Sequence, residues 1–178
     1  VPSPQPRCVA VQPNGDVTLT WSAVSNAAGT FNSYQIFKSS SPTGPFTILD
    51  SIFTITQTTY THVGANANAA PVYYLIKTRS ECGGKTYSAP IDTIASMKLG
   101  VVNPSNGTAL LSWNPIANPL FPSSTGLYKI YLEYPAGTWS LKGQTHTLKY
   151  VDSITVCNAA INYKVEMEDT TGCISVSS

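Results

Sequence analysis

Charge is scarce in this chain. Lys, Arg, Asp and Glu together supply 11% of its 178 residues, against roughly 25% in an ordinary soluble domain. The formal net charge is +1, so no long-range field draws the chain to nucleic acid or to an anionic membrane surface. No uninterrupted apolar run approaches the roughly 20 residues of a membrane-spanning helix, and no membrane insertion is expected. There are two histidines and four cysteines, with no C-x-x-C spacing, and no zinc motif, calcium loop or phosphate-cradling glycine loop. No metal or cofactor is expected on these grounds. No signal peptide stands at the start. The opening "VPSPQP" reads as a linker and suggests a piece of a longer, exported chain.

What is present points to strands. Hydrophobic residues make up 42% of the chain, enough for real cores. Ser, Thr, Asn and Gly occupy the polar positions where Lys and Glu would usually stand. Helix formers are few, and β-branched and aromatic residues are many, which predicts an all-β chain. The length allows two units of about 90 residues.

The sequence spells one strand pattern twice. "VTLTW" places Val17, Leu19 and Trp21 on one face and threonines on the other, the period-2 signature of a half-buried strand. "ALLSW" repeats it at Trp113, 92 residues after Trp21. Each is preceded by an Asn-Gly turn, Asn14-Gly15 and Asn106-Gly107, which tolerates positive φ. The aromatic landmarks then correspond in order: Trp21, Tyr34, Phe46, Tyr60 and Tyr74 against Trp113, Tyr128, Trp139, Tyr150 and Tyr163. Both Trp113 and Trp139 take positions expected to be core. Seven short strands, with Trp on the second and Tyr opening the sixth, describe an immunoglobulin-like β-sandwich.

Both copies resemble fibronectin type III modules, residues 1–90 and 91–178, with the last strand of the second cut short. A finer similarity lies in "LSWNP…YKIY…GTW…YVD…VCN…INYKVE…GCISVSS". It resembles modules of secreted, gliding-motility-associated surface proteins of Bacteroidetes, which are exported by type IX secretion. The resemblance implies an extracellular or cell-surface location. It also implies a monomeric chain whose first partners are neighbouring modules of the same longer protein. Modules in series imply an elongated particle.

Within this sandwich layout, the start of the first strand and the sixth-to-seventh strand turn share one pole. This predicts a bridge between Cys8 and Cys82. Cys157 and Cys173 then pair by elimination, yet eight strand residues separate them by about 26 Å, whereas a disulfide needs Cα atoms within about 7 Å. The alternative leaves Cys157 as a buried apolar plug before Tyr163.

No catalytic constellation is legible. A hydrolase needs a nucleophile oriented by a base, and His62 and His146 both read as surface residues. Glu166 and Glu168 share a solvated strand face. The chain therefore reads as non-enzymatic. Candidate contact residues are Leu120 and Phe121 in the Pro-rich loop "NPIANPLFPSSTG", with Tyr131 and Tyr134 as further exposed aromatics. The loop either packs against the preceding module or meets a surface glycan or protein. Four of the five aspartates precede Ser or Thr in a pattern that resembles the O-glycosylation signal of Bacteroidetes, which would make Ser51, Thr93, Ser153 and Thr170 acceptors. Ordinary turn chemistry explains the same dipeptides. The expected function is a spacer or adhesion segment of a secreted or cell-surface bacterial protein. The alternatives are a carbohydrate- or protein-binding module and an accessory region of a secreted glycoside hydrolase.

Overall fold

The computed structural model describes residues 1–81, 86–90 and 92–178, and among them every regular element is a strand. The first half runs through β1 (Pro6–Val11), β2 (Val17–Trp21), β3 (Phe31–Ser39), β4 (Thr47–Ile52), β5 (Thr59–His62), β6 (Tyr73–Ser80), β7 (Thr86–Tyr87) and β8 (Ile94–Ala95). The second runs through β9 (Leu99–Val102), β10 (Thr108–Trp113), β11 (Ser124–Glu133), β12 (Trp139–Thr145), β13 (Lys149–Ser153), β14 (Asn162–Asp169) and β15 (Ile174–Val176). In the first half β1, β2 and β5 face β4, β3, β6 and β7; in the second β9, β10 and β13 face β12, β11, β14 and β15. These are two immunoglobulin-like, fibronectin type III sandwiches in tandem.

Alternation does the folding work within each sandwich. Val17, Leu19 and Trp21 of β2 point inward and meet Tyr34 and Ile36 of β3 and Tyr74 and Ile76 of β6, all buried. Trp21 lies edge-on to Tyr34 with ring centroids 5.4 Å apart, and Trp113 meets Tyr128 at the same 5.4 Å. Truncating an aromatic anchor of this kind costs roughly 3–5 kcal/mol. The Asn14-Gly15 turn closes as expected: Gly15 sits at φ 87°, and its N–H donates to the Gln12 carbonyl at 2.9 Å.

The two sandwiches lie side by side rather than in an elongated series. β15 runs parallel to β1, with Ala10 opposite Val176. This pairing fuses one sheet of each sandwich into a seven-stranded sheet, ordered β12-β11-β14-β15-β1-β2-β5. The Val9 N–H donates to Ser175 Oγ across the seam at 3.2 Å. Arg7 grips the Asp169 carboxylate in a fork, Nε to Oδ2 at 3.0 Å and Nη2 to Oδ1 at 3.1 Å. The N–H groups of Thr171 and Cys173 add hydrogen bonds to Asp169 Oδ1 at 2.8 Å each. The connecting segment is interior as well. Ser96 and Met97 are fully buried, Ser96 exchanges hydrogen bonds with Val72, and the Met97 carbonyl accepts the Ser178 N–H at 3.0 Å.

This seam corrects the disulfide assignment. Cys8 is joined to Cys173, with Cα atoms 5.8 Å apart, because side-by-side packing brings the last turn of the second sandwich beside the first strand of the first. Neither the Cys8–Cys82 nor the Cys157–Cys173 bridge forms, since each would need a sulfur already used. Cys82 itself lies outside the described residues. Cys157 is a free, exposed thiol rather than a buried plug, at the end of β14 opposite Cys173, as strand length requires. The ladder on β6 also continues past Pro90, pairing Tyr74 with Ile94 and Tyr73 with Ala95.

Asp169 is 5% exposed. Burial works to raise its pKa, but the hydrogen bonds from Arg7 and from the N–H groups of Cys173 and Thr171 outweigh it. They hold the carboxyl well below the usual carboxylate range. A folded-state pKa below the unfolded one contributes stability above the unfolded value, and that stability is lost as pH falls towards the folded one. Asp169→Asn should therefore destabilise the protein by about 2–3 kcal/mol at neutral pH. In a thermal melt this reads as a drop of roughly 5–10 °C, with the difference from wild type shrinking below about pH 4. An unchanged melt at neutral pH would show that the seam does not depend on this carboxylate.

Candidate functional site

The repeat places two buried polar pairs at equivalent positions. In the first sandwich the Tyr74 hydroxyl and His62 Nδ1 share a 2.8 Å hydrogen bond. In the second, the Tyr163 hydroxyl donates to Asp152 Oδ2 at 2.8 Å, and Lys142 Nζ stands 3.6 Å from Asp152 Oδ1. Burial raises the Tyr74 pKa, with the neighbouring Tyr60 adding to it. Burial likewise raises that of Tyr163, reinforced by Asp152. These hydroxyls stay protonated, and each serves to satisfy a buried partner.

His62 thus departs from the surface position expected of it: it is 6% exposed. Burial, and then the charge of Lys38, lower its pKa, against a smaller opposing pull from Asp16. His146 is exposed, with Nδ1 3.0 Å from the Gly126 carbonyl oxygen. His62 is thus bonded to the buried Tyr74 hydroxyl, and His146 to a backbone carbonyl. Glu166 pairs with Lys164 at 2.8 Å and Glu168 with Lys129 at 3.8 Å. Among the described residues, no group of three His, Cys, Asp or Glu side chains gathers to hold a metal.

The surface features that could meet a partner are aromatic. Trp139, expected in the core, is 39% exposed, because β12 is the edge of its sheet and the residue stands opposite Glu133 on the outer face. Lys164 Nζ reaches across from β14 to lie 4.8 Å from the Trp139 ring centroid and 5.2 Å from that of Tyr131. Beside them, Glu133 accepts from Asn162 Nδ2 at 2.8 Å and from the Gly137 N–H at 2.6 Å, and both bonds lower its pKa. Tyr134 is exposed. The first sandwich carries a smaller counterpart, Lys77 over Phe37 at 5.0 Å, with Ile48 and Tyr87 exposed nearby.

Sequence reasoning pointed instead to Leu120 and Phe121. Phe121 is 6% exposed and joins the apolar interior, and Leu120 packs half-buried against it. Of the four candidate glycan acceptors, Ser153 and Thr170 are exposed and Ser51 and Thr93 half-buried. The aspartates preceding the two exposed ones, Asp152 and Asp169, are buried in the contacts described above. Trp139 stands on the outward face of an edge strand, a register that its alignment with Phe46 does not fix.

A buried, neutral His62 has a definite pH signature. Its folded pKa lies below the unfolded 6.5, so the unfolded chain takes up a proton first and stability falls as pH drops through that value. Melts between pH 7.5 and about 5 should show a decline that His62→Gln flattens. A decline of equal slope in the variant would place the titrating group elsewhere.

No family model matches the chain. Among curated proteins, the amylopullulanase of Thermoanaerobacter thermohydrosulfuricus is 28% identical over 138 residues, covering 68% of this chain and 9% of that protein. The chain therefore spans less than a tenth of that relative's length. Among solved structures, it is similar to the central fibronectin-III array of RIM-binding protein, with 11% identity, TM-score 0.44, 99% of this chain and 68% of that one covered. It is also similar to a two-domain fibronectin type III segment of chicken tenascin, with 19% identity, TM-score 0.37, 99% of this chain and 95% of that one covered. The fold assignment rests on the strand order and core described above.

Proposed function

We propose that this chain is a non-catalytic spacer or adhesion segment of a larger secreted or cell-surface bacterial protein, in which two sandwiches act as one rigid block. The observation that carries this reading is the seam: a strand pairing, a half-buried ion pair and a disulfide hold the units together at a fixed angle. A disulfide supports an oxidising, extracytoplasmic setting. His62 is committed to the buried Tyr74 hydroxyl and His146 to a backbone carbonyl, which supports a non-catalytic role. The sequence resemblance to gliding-associated modules supports a surface setting of the same kind.

A second reading has one observation in its favour. The match to an amylopullulanase supports an accessory region of a secreted glycoside hydrolase, with the chemistry carried elsewhere in such a protein. In that case Trp139 is the residue to watch, since an exposed indole offers a face to a sugar ring.

Affinity electrophoresis through gels containing pullulan or soluble starch separates the two. The spacer reading predicts mobility equal to that in a gel without polysaccharide. Retardation that Trp139→Ala abolishes would replace it with a saccharide-binding role.

A further inference from the structure

We propose that Lys142 and Asp152 condense into a side-chain amide that ties the two sheets of the second sandwich together. The protein forms the bond itself, with the Tyr163 hydroxyl activating the carboxyl group. The inference rests on the interior of that sandwich and does not depend on the spacer reading. β12 belongs to the seven-stranded sheet and β13 to the three-stranded sheet facing it, so this bond would join opposite layers. Lys142 Nζ stands 3.6 Å from Asp152 Oδ1, while the Tyr163 hydroxyl donates to Oδ2 at 2.8 Å. Asp152 is buried, and the side chain of Lys142 largely so.

Comparing the two sandwiches shows how a lysine comes to lie there. The ladder between β11 and β12 skips Lys142: Tyr131 stands opposite Leu141 and Ile130 opposite Gly143. The ladder between β3 and β4 skips Leu49 at the same place, between Ile48 and Asp50. A bulge of this kind re-aims the side chain of the extra residue. Leu49 packs against the core, and Lys142 reaches the interior carboxylate by the same route. The Tyr150 hydroxyl pins the bulge by donating to the Lys142 carbonyl at 3.2 Å, an approach that a side chain at Gly143 would block. The two partners differ together between the copies. His62, opposite Val17, stands where the second sandwich places Asp152, opposite Ala109, and Leu49 stands where it places Lys142.

The step balances without a co-reactant. The ammonium passes a proton to Asp152 Oδ1, and the neutral Nζ attacks Cγ while Tyr163 steadies the negative charge gathering on Oδ2. The Nζ–Cγ bond forms, the Cγ–Oδ1 bond breaks, and Oδ1 leaves as water with two of the three protons first held by the nitrogen. Tyr163 keeps its own proton and ends as donor to the amide oxygen. Two features drive the step forward. A pair held in place reacts at an effective concentration far above that of free groups. Keeping two charges out of water is costly, and the neutral amide removes both. Each chain reacts once, so the step is a self-modification without turnover.

The test is the intact mass of the purified protein after reduction of its disulfide. The expected value is below the sequence mass by one water, with fragmentation assigning the link to Lys142 and Asp152. Lys142→Arg should restore the full mass, and Tyr163→Phe should leave a large fraction of chains unlinked in freshly made protein. Full mass in the wild type would overturn the proposal and leave the contact as an ion pair. A loss of water that persists in Lys142→Arg would overturn it too, by placing the loss elsewhere, as would complete linkage in fresh Tyr163→Phe protein.

Discussion

The pairing of β1 with β15 is the contact on which the arrangement of the whole molecule depends. Each sandwich by itself would present an unpaired strand edge, and edges of this kind either aggregate or must be covered. Here the two edges cover each other. A single ladder pair, Ala10 with Val176, could not hold two sandwiches in register alone, so the neighbouring residues share the task. The Arg7–Asp169 fork sits on one side of Cys8–Cys173, and the Val9–Ser175 bond on the other. With its carboxylate buried and its guanidinium partly exposed, this ion pair contributes modest net stability and serves to fix registry. The disulfide joins residues 165 apart in sequence, so in the chain-entropy treatment it stabilises by about 5 kcal/mol through the unfolded state.

The linker reinforces the seam instead of acting as a hinge. Ile94 and Ala95 extend the first sandwich, Ser96 bridges to Val72 and Asn114, and Met97 is buried beside Ser178. An interface that shares a continuous sheet, a buried linker and a covalent bond leaves little freedom between the units. With only 11% of residues charged, longer-range electrostatics adds little, and shape and hydrogen bonding set the geometry. The free surface then becomes the place where a partner could act, chiefly the Trp139 corner.

The fold was legible because it is local and repeated. Trp21 and Trp113, Tyr34 and Tyr128, and the two Asn-Gly turns announce their strands through alternation and turn chemistry, and the ring geometry of the two Trp–Tyr pairs is nearly the same. The contacts between the copies were not legible. Arg7 with Asp169 and Cys8 with Cys173 join residues whose proximity depends on how two finished sandwiches dock, and no periodicity in the chain encodes that. Assuming each sandwich closes on itself led naturally to Cys82 as the partner of Cys8. His62 was misplaced for a related reason: its burial comes from facing Tyr74 across the core, a contact between strands of opposite sheets. Trp139 is the reverse case, an aromatic at a repeat position that lies on the outer face of an edge strand, opposite Glu133.

Small-angle X-ray scattering of the oxidised protein tests the side-by-side arrangement most directly. A chain of this length folded as one compact body should have a radius of gyration of about 16 Å, and the seam described here predicts a value close to that. Two sandwiches joined end to end would give roughly 20 Å or more, and such a value would contradict the account.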